Sequence, residues 1–293
     1  MASKQELKDR LDRLDVPFNA FGLDKYGISK RHLGRFFETL SFFYRHYFRV
    51  HTEGIEHLPP NSRAMLIGNH AGGLPIDAPM VIAAAFLEPE QPRLAHAAVE
   101  HFVQRKPLLS QLFARIGQFS GTPENSERLL RDERLVLVFP EGARGSGKLY
   151  WDRYELLRFG TGFMRVAMAT QTPIIPFGFV GSEEAFPTIG HWSSLAKLLR
   201  VPYLPIPLQL LPLPLPVKCR LIFGEPLRFE GAGNESDQVI AEHVERVRCA
   251  VASLVDRGLA QRGYGFRDRP ECQQSREADA KTTASTAEQG ETP

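Results

Sequence analysis

Two short apolar runs, each ending in a polar, glycine-containing turn, constrain this chain more than any other feature. Ala64-Met65-Leu66-Ile67 opens into Gly68-Asn69-His70-Ala71-Gly72-Gly73-Leu74-Pro75-Ile76-Asp77, and Leu135-Val136-Leu137-Val138-Phe139 opens into Pro140-Glu141-Gly142-Ala143-Arg144-Gly145. Apolar runs of this length read as buried strands, and open α/β sheets bind ligands beyond the C-terminal ends of their strands. One turn supplies an imidazole with a downstream carboxylate. The other supplies a carboxylate, backbone amides and a guanidinium. The pairing suggests a general base facing a polar anchor for substrate, and the imidazole is the side chain whose ordinary titration lies nearest neutral pH.

Around these runs, residues 50 to 190 alternate strand-like and helix-like segments, the pattern of a βαβ-layered domain. The pattern predicts helices over 79–87, 127–132 and 154–169, and core strands over 174–180 and 218–224. A final amphipathic helix starts at Asp237, the candidate cap, with Val239, Ile240, Val244, Val247, Val251, Leu254 and Val255 on one face. The fold expected is α/β, a mixed sheet flanked by helices, in one domain over residues 50–262. A polar tail at 263–293, poor in large apolar side chains, reads as disordered. At the other end, 29–49 carries Leu33, Phe36, Phe37, Leu40, Phe43, Tyr44, Tyr47 and Phe48 at helical spacing, interleaved with Arg31, Arg35, Arg45 and Arg49. An aromatic and basic stripe suits either a membrane interface or a helix packed on the core. The expectation taken is that residues 1–49 are membrane-associating helices.

Asn69-His70 with Asp77, then Phe139-Pro140-Glu141-Gly142-x-Arg144, then Thr172-Pro173-Ile174-Ile175-Pro176 resemble, in order, the first, third and fourth motif blocks of the glycerolipid and lysophospholipid acyltransferases. The Gly72-Gly73 pair makes the chain look closest to the branch similar to monoacylglycerol acyltransferases. The resemblance implies transfer of a fatty acyl group from acyl-CoA or acyl-carrier protein to a hydroxyl of a glycerolipid or lysophospholipid. His70 would be the base, Asp77 its orienting partner, and Asn69, Gly72, Gly73, Phe139, Pro140, Glu141, Gly142 and Arg144 would contact substrate. It implies no metal and no cofactor beyond the thioester co-substrate. Two departures stand out. Six residues separate His70 from Asp77 where the family usually has four, and the second-block region, Gly117–Thr122, lacks the basic residue that commonly grips acceptor phosphate. The acceptor is therefore open between phosphorylated and neutral, with Arg144 the remaining candidate for a phosphate contact. Readings of other classes are a catalytically weak lipid-binding protein of the same fold, and a thioesterase that uses water.

Other signals exclude more than they add. A net charge of +2 and pI near 8.4 do not mark a nucleic-acid binder. Gly142–Lys148 fits the spacing of a phosphate-binding loop, but Leu149 stands where the magnesium-binding hydroxyl belongs. His96 and His101 lack a third ligand at metal spacing, and no Gly-x-Ser-x-Gly elbow occurs. Cys219, Cys249 and Cys272 show neither metal nor redox spacing, which fits a reducing compartment. The N-terminus has no apolar signal core, and no apolar run reaches the ~18–20 residues of a spanning helix. The location expected is peripheral, on the cytoplasmic face of the cell membrane. Between Arg200 and Lys218 every residue is uncharged and six are prolines. That segment excludes a regular helix or a central strand and reads as covering the acyl site, meeting a membrane or packing on the fold.

Overall fold

Strands buried on both faces need two layers of helix, and the chain supplies both. The computed structural model describes residues 4–99, 106–209 and 213–263. Nine strands are described: β1 (His51–Glu53), β2 (Ala64–Gly68), β3 (Ala95–Val99), β4 (Phe119–Ser120), β5 (Leu135–Val138), β6 (Ile174–Val180), β7 (Thr188–His191), β8 (Pro205–Pro207) and β9 (Arg220–Phe223). Seven form one sheet in the order β1-β9-β6-β2-β5-β3-β4, while β7 and β8 form a separate antiparallel hairpin. Within the large sheet β6, β2, β5, β3 and β4 run parallel, and β9 reverses against β6. The mixed α/β sheet is the expected one.

Side-chain alternation along the strands divides the interior. Ala64, Leu66, Leu135, Leu137, Phe177 and Phe179 face one layer, with helices α1 (Lys4–Asp12), α2 (Lys30–Phe42) and α3 (Asp77–Leu87). Met65, Ile67, Val136, Ile174 and Val180 face the other. Helix α4 (Pro107–Arg115) lies along the β3–β4 connection. The second layer holds α5 (Pro123–Arg131), α7 (Gly162–Ala169) and α10 (Asp237–Ala260), and the short α6 (Ala143–Ser146) belongs to the site. Further on lie α8 (Ser182–Ala185) and α9 (Ser193–Leu199). Helix α10 reaches the sheet at Gly178, where a Cβ would stand 2.7 Å from the Leu254 backbone.

Several elements differ from the sequence expectation for physical reasons. The helix predicted from Tyr154 starts only at Gly162, because 154–160 is spent bracing the site and Tyr154 itself has φ +64°. The α5 helix starts earlier than predicted, capped by the Thr122 hydroxyl with Pro123 in its first turn. Ser236, not Asp237, caps α10, its hydroxyl accepting from Val239 N–H. Cys219 is a free, buried thiol.

The N-terminal helices pack on the domain. Leu33, Phe37, Leu40, Tyr44 and Phe48, the stripe expected to meet lipid, are buried in the same core as the sheet. Phe37 stacks on Phe86 of α3 with centroids 3.7 Å apart, and Arg45 reaches back to Glu6 of α1 at 2.9 Å. Phe36, Phe43 and Tyr47 of the same stripe are only partly buried. No described helix is long and apolar enough to cross a membrane.

Candidate functional site

The parallel pairing of β2 with β5 puts the two polar turns side by side. Ile67 registers with Val138, so the next residues along each strand deliver His70 and Phe139 to one edge of the sheet. Asn69 fastens the first turn to β6: its amide donates to Phe179 O at 2.9 Å and its carbonyl accepts from Phe179 N–H at 2.8 Å. Asn69 is thereby occupied as a structural bridge.

Six residues between His70 and Asp77 do not separate them. Nδ1 of His70 lies 2.7 Å from Oδ2 of Asp77. The same oxygen accepts from Ala71 N–H at 2.7 Å, and Oδ1 accepts from Ala78 N–H at 2.8 Å. Asp77 is completely buried and held on three sides, while the His70 side chain retains 13% exposure. The extra length bulges outward at Leu74 and Pro75, which are exposed. Gly72 and Gly73 make this possible. A Cβ at Gly72 would stand 2.3 Å from the Lys148 carbonyl, and Gly73 has φ +87° with Thr188 Oγ1 2.3 Å from a Cβ position. Replacing Gly72 with Ala therefore collides with backbone and displaces the turn. The expected result is a loss of turnover on the order of 10²-fold, as for other small misplacements of a catalytic group, checked by steady-state kinetics on folded protein.

With Nδ1 donating to Asp77, Nε2 is the open lone pair of the imidazole. The ring plane is fixed by Phe139, which stacks on it at 4.3 Å and 21° and meets Phe177 edge-on at 5.8 Å. Gly145 packs behind, its Cβ position 3.0 Å from His70 Cβ and 2.7 Å from Glu141 Cβ. Pro140 accepts from Gly160 N–H through its carbonyl at 2.9 Å. Gly142 adopts φ +59°, ψ −153°, a conformation open essentially to glycine alone.

Glu141 sits beneath the site rather than in it. One oxygen accepts from His70 N–H at 2.9 Å, the other from Leu157 N–H at 3.0 Å. Lys148 lies 3.3 Å from Glu141 and 3.5 Å from Glu183, with all three side chains almost fully buried. Burial pushes the Glu183 carboxyl above its ordinary range, opposed chiefly by the Lys148 charge. Glu183 in turn accepts from Tyr154 N–H at 2.8 Å. Sequence reading missed Lys148 and Glu183 as site supports. A lysine in a run this glycine-rich and a Glu directly after a core strand were the available signals, but only their joint burial reveals the pairing. It also disposes of the nucleotide-loop spacing, because the Lys148 ammonium points into the protein.

Arg144 stands apart from this network. It is exposed, with a single 3.4 Å bond to the Arg158 carbonyl. His96 is fully buried, its Nδ1 2.7 Å from Gly117 O, and burial holds its pKa down to about 4; it is a neutral structural residue. His101 lies outside the described residues. In the second-block region the Gln118 carbonyl accepts from Ala97 N–H at 2.7 Å. Among the described residues no group of three or more acidic, His or Cys side chains is arranged to hold a metal.

Comparison with known proteins finds likeness in sequence and in fold. Residues 49–180 match the family model described as Acyltransferase. It shares its fold with the crystal structure of the 1-acyl-sn-glycerophosphate (LPA) acyltransferase PlsC from Thermotoga maritima, with TM-score 0.52 and 17% identity over 82% of this chain and 84% of that one. An uncharacterized protein of Mycobacterium leprae is 37% identical over 234 residues, 76% of this chain and 64% of that protein. One of Mycobacterium tuberculosis is 36% identical over 76% of this chain and 65% of its own length. The chain thus spans slightly less than two thirds of the length of these relatives.

Proposed function

We propose that this protein transfers a fatty acyl group from an acyl thioester, acyl-CoA or acyl-carrier protein, to a hydroxyl of a glycerolipid or lysophospholipid. The observation that carries the reading is the His70–Asp77 pair, with Nδ1 locked and Nε2 left at the rim. In the proposed reaction Nε2 takes the proton of the acceptor hydroxyl as its oxygen attacks the thioester carbonyl. The tetrahedral intermediate then expels the thiolate, which recovers the proton from the imidazolium. Asp77 balances the imidazolium charge and fixes the tautomer. No covalent acyl-enzyme is involved. The amides of His70, Ala71 and Gly73 already donate to Glu141, Asp77 and Ser146. The oxyanion therefore needs other donors, and Arg144 is the exposed cation of the second turn.

The acceptor follows from Arg144 as well. In the proposed reading the protein works peripherally at the cytoplasmic face of a membrane. If its acceptor carries a phosphate, Arg144 is the candidate to recognise it, because the Gly117–Thr122 region offers no cation. Arg144→Ala is then expected to raise KM for a phosphorylated acceptor more than for the dephosphorylated analogue. Equal effects on the two would mean a neutral natural acceptor, or a bracing role for Arg144.

A further inference from the structure

The chain between β6 and β9 leaves the sheet, builds the β7–β8 hairpin and α9, and returns. Its backbone is tied down: Trp192 N–H donates to Leu204 O at 2.9 Å, Leu208 N–H to Pro187 O at 2.8 Å, and Leu215 N–H to Ala185 O at 2.6 Å. Its side chains are not. Trp192, Leu198, Leu208 and Leu213 are 59%, 76%, 64% and 63% exposed. Two neighbours extend the same surface. The 150–152 turn packs against β7 and carries Trp151, 64% exposed. Helix α4 carries Leu108, and Lys106 at its start donates to Leu199 O of α9 at 3.3 Å. Scattered apolar side chains on a surface need no explanation, but a set this large on one connecting segment and the elements touching it does.

Charge identifies what covers it. No Asp or Glu occurs between Glu184 and Glu225, while Lys197, Arg200 and Lys218 of that stretch are exposed. The stretch carries tryptophan, leucine and cations without an acid, with exposed Asp152 of the flanking turn beside Trp151. Such a surface suits an anionic lipid leaflet, where indole rings lodge at headgroup depth and each basic residue adds attraction. The face also leans on the site: His191 Nε2 bonds Gly147 O at 2.9 Å, and Thr188 packs on Gly73.

We infer that the β7–β8 hairpin and α9, flanked by Trp151 and α4, form the membrane-docking face of this protein and seat it on anionic lipid with the His70 rim at the interface. The inference rests on the acyltransferase reading for its purpose, but its test does not. Trp151 and Trp192 are the only tryptophans in the chain, so intrinsic fluorescence reports this face directly. Full-length protein is mixed with vesicles of phosphatidylcholine alone or with phosphatidylglycerol added, at low and high salt. On anionic vesicles the emission shifts to the blue, brominated acyl chains quench it, and the protein sediments; salt weakens all three. Leu198→Ser with Leu208→Ser and Leu213→Ser, and separately Lys197→Glu with Arg200→Glu, lower partitioning by more than about tenfold. Arg31→Glu with Arg35→Glu on α2 does not. Circular dichroism checks that each variant is folded, and exposed positions make misfolding a minor route to failure. Wild-type sedimentation without a tryptophan shift, unchanged binding by both face variants, or a stable dimer that buries the tryptophans without lipid would overturn the inference. Binding that behaves as described in a protein lacking transferase activity would leave the face intact and remove the proposed function alone.

Discussion

His70→Ala is expected to lower acyl transfer by roughly 10²–10⁴ in turnover, the usual worth of a positioned general base, with little change in stability. The imidazole lies at the rim, and its main-chain N–H still has Glu141 to donate to. Asp77→Asn behaves differently. Asp77 is fully buried and accepts from His70, Ala71 and Ala78. An amide there turns one acceptor into a donor facing N–H groups, costing about 1–3 kcal/mol of stability, and releases the imidazole tautomer. Activity falls less than in His70→Ala, because the base itself remains. Kinetics and thermal melts on the two variants separate these effects. Near-normal transfer by folded His70→Ala protein would remove the base from the mechanism.

The second large effect is on stability. Among the described residues Lys148 is the only cation between Glu141 and Glu183. Lys148→Met leaves two carboxylates buried together, and breaking a buried pair in this way costs about 3–5 kcal/mol. The pH dependence has a definite sign. Burial already holds the Glu183 carboxyl above its ordinary value, with Lys148 the main opposing influence, so the variant raises it further. A carboxyl whose folded-state pKa exceeds the unfolded one favours the fold most when protonated, and that stability is lost as pH rises through the folded-state value. Lys148→Met protein is therefore least stable at neutral and alkaline pH and recovers as pH is lowered into the carboxylate range. Chemical denaturation across pH measures this. A loss independent of pH would mean that Lys148 acts through packing alone.

The sheet and the His70–Asp77 pair were legible in the sequence because both are local. Strands buried on two faces must be continuously apolar, as Ala64–Ile67 and Leu135–Val138 are, and a turn following such a strand lies where α/β sheets bind ligands. What connects distant parts of the chain was not legible. The stripe at 29–49 has the same periodicity whether it faces lipid or Phe86, and only the partner decides. Glu141 reads as a substrate contact beside Arg144, yet it lies under the turn, because Lys148 and the His70 and Leu157 N–H groups draw it inward. The six-residue gap looked like a break in the pair until Leu74 and Pro75 were seen to bulge outward over two glycines. The Pro-rich stretch excluded a central strand correctly, since Pro205–Pro207 lies in a two-stranded hairpin apart from the main sheet. Its exposed leucines and their missing acids acquire meaning only beside α9 and Trp151.

The most direct measurement is to incubate pure full-length protein with labelled acyl-CoA or acyl-carrier protein and a panel of hydroxyl acceptors, with and without phosphate, and to identify where the label goes. The mechanism built on His70 Nε2 predicts label in an ester of the acceptor, dependent on acceptor and abolished by His70→Ala. Label recovered only as free fatty acid, at a rate indifferent to acceptor, or lipid bound with no turnover at all, would contradict it.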